Sequence, residues 1–200
     1  MPQLLEQTQQ RDMTCRELTL RSDSINEQDR SFEAVVATET PAVVFDMRSF
    51  ELIDEILIAK GGQFPNQVPL LDDHQRSSGI NSVMGSANNF RLQGSQWVGR
   101  GVIGVSADGN IHREQTWLDV RNGHVNAVSI GYQVINFVDI PAGQSQEVNG
   151  KIYKAGERTL RITSQWRVHE LSLTPIPADK EALIRKQQGT PPAKTRRFFR

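Results

Sequence analysis

Apolar residues in this chain come in short runs, and almost every run is cut by Gly, Pro or Asn before a long helix could form. Within the runs the alternation is mostly two-fold, the period of a strand with one buried face. Residues 32–38, FEAVVAT, read as a strand that ends ahead of Pro41. Residues 51–58, ELIDEILI, suit either period, but Gly61-Gly62 cuts them short and favours a strand. Residues 15–21 alternate weakly and form a candidate first strand, and QVPLLDDHQR, residues 67–76, is a strand end followed by two acids and a histidine. VMGS, NFRLQ and WVGRGVIGV between Asn81 and Val105 read as two or three short strands, and RTLRIT and WRVHELSL between Thr159 and Leu173 as further ones.

Helical signals are few. Residues 113–120 put Trp117 and Val120 on one face, with Gly123 as terminator, and Asp179 can cap a short helix, DKEALIRKQQ, after Pro175 and Pro177. Asn149-Gly150 signals a hairpin after a loop from residue 140. The expected class is mainly β with a few helices (α+β), an antiparallel barrel or sandwich with helical additions. Length and polarity divide the chain into a flexible arm over 1–14, one domain over 15–187, and a disordered basic tail over 188–200.

Lys plus Arg equals Asp plus Glu at 23 each, so no global field draws nucleic acid or an anionic membrane. The single cysteine, Cys15, cannot form an internal disulfide, and the amino terminus lacks the apolar core of a signal peptide. Both features suggest a soluble protein in a reducing, cytosolic setting. The four histidines, His74, His112, His124 and His169, have no metal-ligand spacing, and neither a P-loop nor a dinucleotide fingerprint occurs. No cofactor and no metal is expected.

Residues 124–132, HVNAVSIGY, form the segment with most chemical content. Val128, Ile130, Tyr132 and Val134 fall on one face, and Ala127, Ser129 and Gly131 on the other, a shelf of small side chains on which a substrate backbone could approach Ser129. The plainer alternative is a semi-exposed strand serine, with Gly131 marking a bulge. AVSIG lacks the first glycine of G-x-S-x-G, which argues against an ordinary esterase. A serine hydroxyl needs a base within hydrogen-bond reach, and His74, next to a turn, is the best placed; His112 and His124 read as surface residues. Glu170, among apolar neighbours, needs a buried partner. That partner is either a histidine or an arginine such as Arg161 or Arg167.

Four segments in this order, RSFEAVVATETPAVVFD at 30–46, GGQFPNQVPLLDDHQRSSGINSVMGSA at 61–87, GHVNAVSIGY at 123–132 and WRVHELSLTPIPADKEA at 166–182, resemble the tailed-phage (caudovirus) prohead protease family, related in fold to the herpesvirus assemblin proteases. The resemblance implies an antiparallel β-barrel of that type and a serine endopeptidase of head maturation. It implies Ser129 as nucleophile, His74 as base and Glu170 as third member. Assemblins use a second histidine there, which keeps the neighbouring His169 as a rival. Arg158 and Arg161 are not adjacent, unlike the paired arginines of the assemblin oxyanion loop, so that role stays unassigned. The implied substrates are scaffold and major capsid proteins inside the procapsid in the host cytoplasm, with self-cleavage. Neither a membrane nor a specific nucleic acid is implied, and a requirement for a homodimer is left open. The rival from another class is a non-catalytic, scaffold-binding head-assembly protein with the same fold.

Overall fold

The computed structural model describes residues 13–19, 24–77, 79–106 and 111–175. Most of the expected arm, the helix expected from Asp179 and the basic tail lie outside the described residues. The strands in chain order are β1 (Met13–Thr19), β2 (Ser31–Thr38), β3 (Ala42–Asp46), β4 (Glu51–Leu57), β5 (Gly62–Gln63), β6 (Gln67–Asp72), β7 (Val83–Gln93) and β8 (Gln96–Ile103). After the helix α1 (Ile111–Arg121) follow β9 (Ala127–Ile140), β10 (Ser145–Val148), β11 (Lys151–Lys154) and β12 (Leu160–Thr174). The protein is mainly β with one helix among the described residues.

Three expected strand and loop boundaries need correction. VMGS and NFRLQ are one strand, because β7 absorbs an irregularity between Asn88 and Arg91, with Asn89 in the left-handed region at φ 53°, instead of breaking. RTLRIT and WRVHELSL are likewise one strand, β12, with register shifts around Ser164 and His169. The β10–β11 hairpin occupies part of the expected loop, and its turn is formed as anticipated, with Asn149 and Gly150 both at positive φ.

The sheet is neither purely antiparallel nor a closed barrel. Its main path runs β1-β9-β12-β6-β7-β8-β2; the end strands β1 and β2 approach each other but share no ladder. β12 pairs antiparallel with β9 along one edge and parallel with β4, β5 and β6 in turn along the other. The parallel pairing arises because residues 51–72 form one interrupted strand beside β12, returned to by a long crossover. The interruption is matched on both sides. Gly61, in a 3-10 turn between β4 and β5, packs against the backbone of Ser164, where β12 itself skips register.

The larger core lies under this sheet, with Leu70, Met84, Ile130, Tyr132, Trp166 and Leu171 fully buried. Trp117 and Val120 bring α1 onto it, as their spacing predicts. The helix is fixed from two sides: Arg30 holds Glu114 through bonds of 2.7 and 2.8 Å, and Arg113 donates to the Val83 carbonyl at 2.9 Å. A smaller core around Ile140, Ile162 and Tyr153 seats the β10–β11 hairpin. Among the described residues no helix is long and apolar enough to cross a membrane.

A Cβ at position 61 would lie 1.8 Å from the Ser164 carbonyl oxygen, which belongs to the backbone and cannot swing away. Gly61→Ala should therefore lower stability by about 1–3 kcal/mol or more in urea unfolding. Gly156→Ala, with nothing within 4 Å of its would-be Cβ, should stay within about 0.5 kcal/mol of the parent.

Candidate active site

Two strand ends and one turn build the site. β6 leaves the sheet at Asp72, opposite Leu173, and the next two residues, Asp73 and His74, both take positive φ, at 40° and 57°. Consecutive left-handed non-glycine residues persist only where the surroundings impose them. Here the Asp73 amide donates to the Leu173 carbonyl at 2.9 Å, and the His74 amide to Ser172 Oγ at 3.1 Å. The Gln75 and Arg76 amides close the turn on the Asp72 and His74 carbonyls, each at 2.8 Å.

β12 supplies the acid by means of its bulge. Val168 stands opposite Tyr132 on the core face, while Glu170 stands opposite Gly131. Tyr132 and Gly131 are neighbours on β9 and so point to opposite faces. His169 is the extra residue between them, and the bulge absorbs it so that Glu170 and Ser172 come to the face of Gly131 and Ser129. Strict alternation from Val168 would have sent Glu170 into the core.

The Glu170 side chain is 3% exposed. Its Oε1 lies 2.7 Å from His74 Nδ1 and accepts a bond from Arg76 Nη2 at 2.9 Å, and its Oε2 accepts from Ser172 Oγ at 2.8 Å. Burial pushes the carboxyl up, but the bonds from His74, Arg76 and Ser172 outweigh it and hold the group below the ordinary carboxylate range. Ser172 has a double role, donating to the carboxylate while accepting from the His74 amide. One hydroxyl thus fixes both the base's backbone and the acid's second oxygen.

Of the expected site residues, His74 and Glu170 are joined directly. Ser129 shares their face and stands opposite Ser172 in the β9–β12 register. It is fully buried, and its hydroxyl has no hydrogen-bond partner among the described residues. The open shelf expected around it is therefore not present. Both faces of β9 are covered here, and the space beside Gly131 holds the Glu170 carboxylate and the Arg76 guanidinium, 2.1 and 2.4 Å from where a Cβ would be. Gly131 makes room for that ion pair. The core face is as anticipated, with Val128, Ile130 and Tyr132 fully buried and Val134 partly so.

His169, at the bulge, is half-buried, while Glu170 is the residue that reaches His74. The arginines considered as partners of Glu170 are engaged elsewhere. Arg161 binds Asp139 at 2.8 Å and Asp46 at 3.0 Å, and Arg167 binds Gln63. Burial lowers the Arg161 pKa, but the two carboxylates outweigh it and the guanidinium is raised above its usual range. Arg158 pairs with Asp54. Arg161 sits near the start of β12, roughly 30 Å along the strand from Glu170 at about 3.3 Å per residue, and Arg158 lies just ahead of that strand. Neither serves the Ser129 face. His124 is exposed, and His112, also exposed, binds Asp72 at 3.0 Å. No group of three or more His, Cys, Asp or Glu suited to a metal occurs among the described residues.

Arg76 and Ser172 were not singled out by sequence. For Ser172 the signal was present: Trp166 and Val168 are apolar at even positions, Leu171 and Leu173 at odd ones. That change of phase marks a bulge between them and assigns Glu170 and Ser172 to one face. For Arg76, two residues past His74 in a turn, no periodicity gives a direction. Compared with known proteins, the chain matches no family model, no curated protein and no solved structure.

Two outcomes test the network. Ser172→Ala removes the second oxygen's donor and leaves the His74 amide without its acceptor, which should cost about 1–3 kcal/mol in denaturant unfolding. The depressed Glu170 pKa fixes the sign of an acid effect. Its stabilisation is complete above the unfolded-state pKa of about 4.3 and is lost as pH falls through the lower folded value. Stability measured from pH 6 to pH 2 should fall more steeply below pH 4 in the parent than in Glu170→Gln.

Proposed function

We propose that this chain is a serine endopeptidase acting on scaffold or coat-protein segments inside an assembling phage head, with Ser129 as nucleophile, His74 as general base and Glu170 as the residue that orients it. The observation that carries this is the 2.7 Å contact between His74 Nδ1 and the buried, ionised Glu170 carboxylate, formed by residues 96 apart in sequence. A carboxylate on Nδ1 fixes the tautomer that leaves Nε2 unprotonated, and stabilises the imidazolium formed when Nε2 takes a proton. Ser129 stands two residues along β9 from Gly131, the residue opposite Glu170, on the same face. The sequence resemblance to prohead proteases supplies the class of substrate.

The chemistry closes in two steps. Ser129 Oγ attacks the peptide carbonyl while His74 accepts its proton; collapse of the tetrahedral adduct breaks the C–N bond, and His74 returns the proton to the leaving amine. Water, deprotonated by the same imidazole, then hydrolyses the acyl-enzyme and the proton goes back to Ser129. Neither step can begin until the Ser129 hydroxyl and His74 come within hydrogen-bond reach, a contact that catalytic pairs often make only with substrate bound. Self-cleavage beyond Asp179 follows from the same activity, because a tethered tail competes at high effective concentration.

The complete burial of Ser129 favours one other reading, a non-catalytic scaffold-binding protein in which the His74–Glu170–Arg76 cluster is purely structural. A fluorophosphonate probe and a scaffold-cleavage assay separate the two. The protease should be labelled at Ser129 and cut scaffold, and Ser129→Ala should abolish both while changing stability by less than about 1 kcal/mol, since the hydroxyl makes no hydrogen bond to the described residues. Absence of labelling in the presence of scaffold, or cleavage that survives Ser129→Ala, would sink the assignment.

A further inference from the structure

We propose that Arg76 is a positioning residue that sets the charge state of His74 by sharing its carboxylate partner; the role rests on the protease reading, but its physical content does not. Arg76 Nη2 and His74 Nδ1 meet the same oxygen, Glu170 Oε1, at 2.9 and 2.7 Å. The guanidinium lies over Gly131, the one residue type that leaves it space there. The arrangement is thus built into three segments: the turn after β6, the bulged half of β12 and the glycine of β9.

A histidine facing a carboxylate alone gains a proton readily, because the imidazolium completes an ion pair. Here a permanent cation already neutralises that carboxylate. Protonating His74 would put two cations on one oxygen, so Arg76 favours the neutral imidazole, the form that acts as a base. Arg76 also allows Glu170 to remain ionised while 3% exposed, so the orienting bond survives in either state of His74. Other titratable residues lie on the elements around His74. Asp73 is exposed on the same turn, Asp72 is bound by His112 from α1, and His169 sits at the bulge beside Glu170. On β1, Glu17 stands in register with Ser129.

The experiment follows the four histidines by NMR in the full chain labelled at the imidazole carbons, with His74 assigned by the signal lost in His74→Gln. In Arg76→Gln the protonation midpoint of His74 should rise, and in Arg76→Lys it should stay near the parent value. With scaffold as substrate, the acid limb of kcat/KM should move to higher pH in Arg76→Gln by the same amount. An unchanged or lower midpoint in folded Arg76→Gln overturns the proposal. Arg76 is 37% exposed on a surface turn, so failure of both variants to fold would mean that it serves the fold, and would overturn the proposal as well. The two ideas fail separately. Cleavage that survives Ser129→Ala removes the protease and leaves the titration standing, whereas an inert Ser129→Ala with an unmoved His74 midpoint removes only Arg76.

Discussion

The structure depends on β12 being hydrogen-bonded along both edges. β9 follows it from Leu160 to Thr174, and β4, β5 and β6 follow on the other side. A strand so enclosed has no free edge, and polar side chains at its buried positions need partners within the fold. The Thr174 hydroxyl has none among the described residues, but the other buried ones do. Arg161 meets two aspartates, Thr163 donates to the buried Glu55, and Glu170 collects three donors.

The β9–β12 pair therefore carries a buried carboxylate against each of its faces. On the core side Glu55 is held by the hydroxyls of Tyr132 and Thr163. On the other side Glu170 is held by an imidazole, a guanidinium and a hydroxyl. The two hydroxyls hold Glu55 without bringing a charge of their own, whereas Glu170 is next to an imidazole, which can take up and release a proton. The second arrangement sets a buried charge against a group suited to proton transfer, which is why Glu170 belongs to the candidate site.

Much of this was legible from residue order. Val128, Ile130 and Tyr132 declared a core face, Trp117 and Val120 a helix face, and Asn149-Gly150 a turn, because each is set by local period or backbone sterics. That a buried acid needs a partner left a histidine or an arginine open for Glu170, and the family resemblance singled out His74. What failed was non-local. Closure into a barrel depends on the meeting of β1 and β2, and the parallel ladders on how residues 51–72 lie along a strand some hundred residues later; neither leaves a local trace. The shelf at Ser129 looked open because small side chains report available space, not what fills it, and the Arg76 guanidinium arrives from a turn with no period of its own.

His169 has a further meaning. Because the bulge absorbs it, a strand lacking that residue would run Val168, Glu170, Leu171, Ser172 in unbroken alternation, with every side chain still facing as it does now. The position is thus a seam in chain length: related chains could gain or lose one residue here and preserve the same set of inward and outward groups. An alignment that forces equal spacing between the Trp166 and Leu173 positions would then misplace the acid by one residue and mistake a histidine for it.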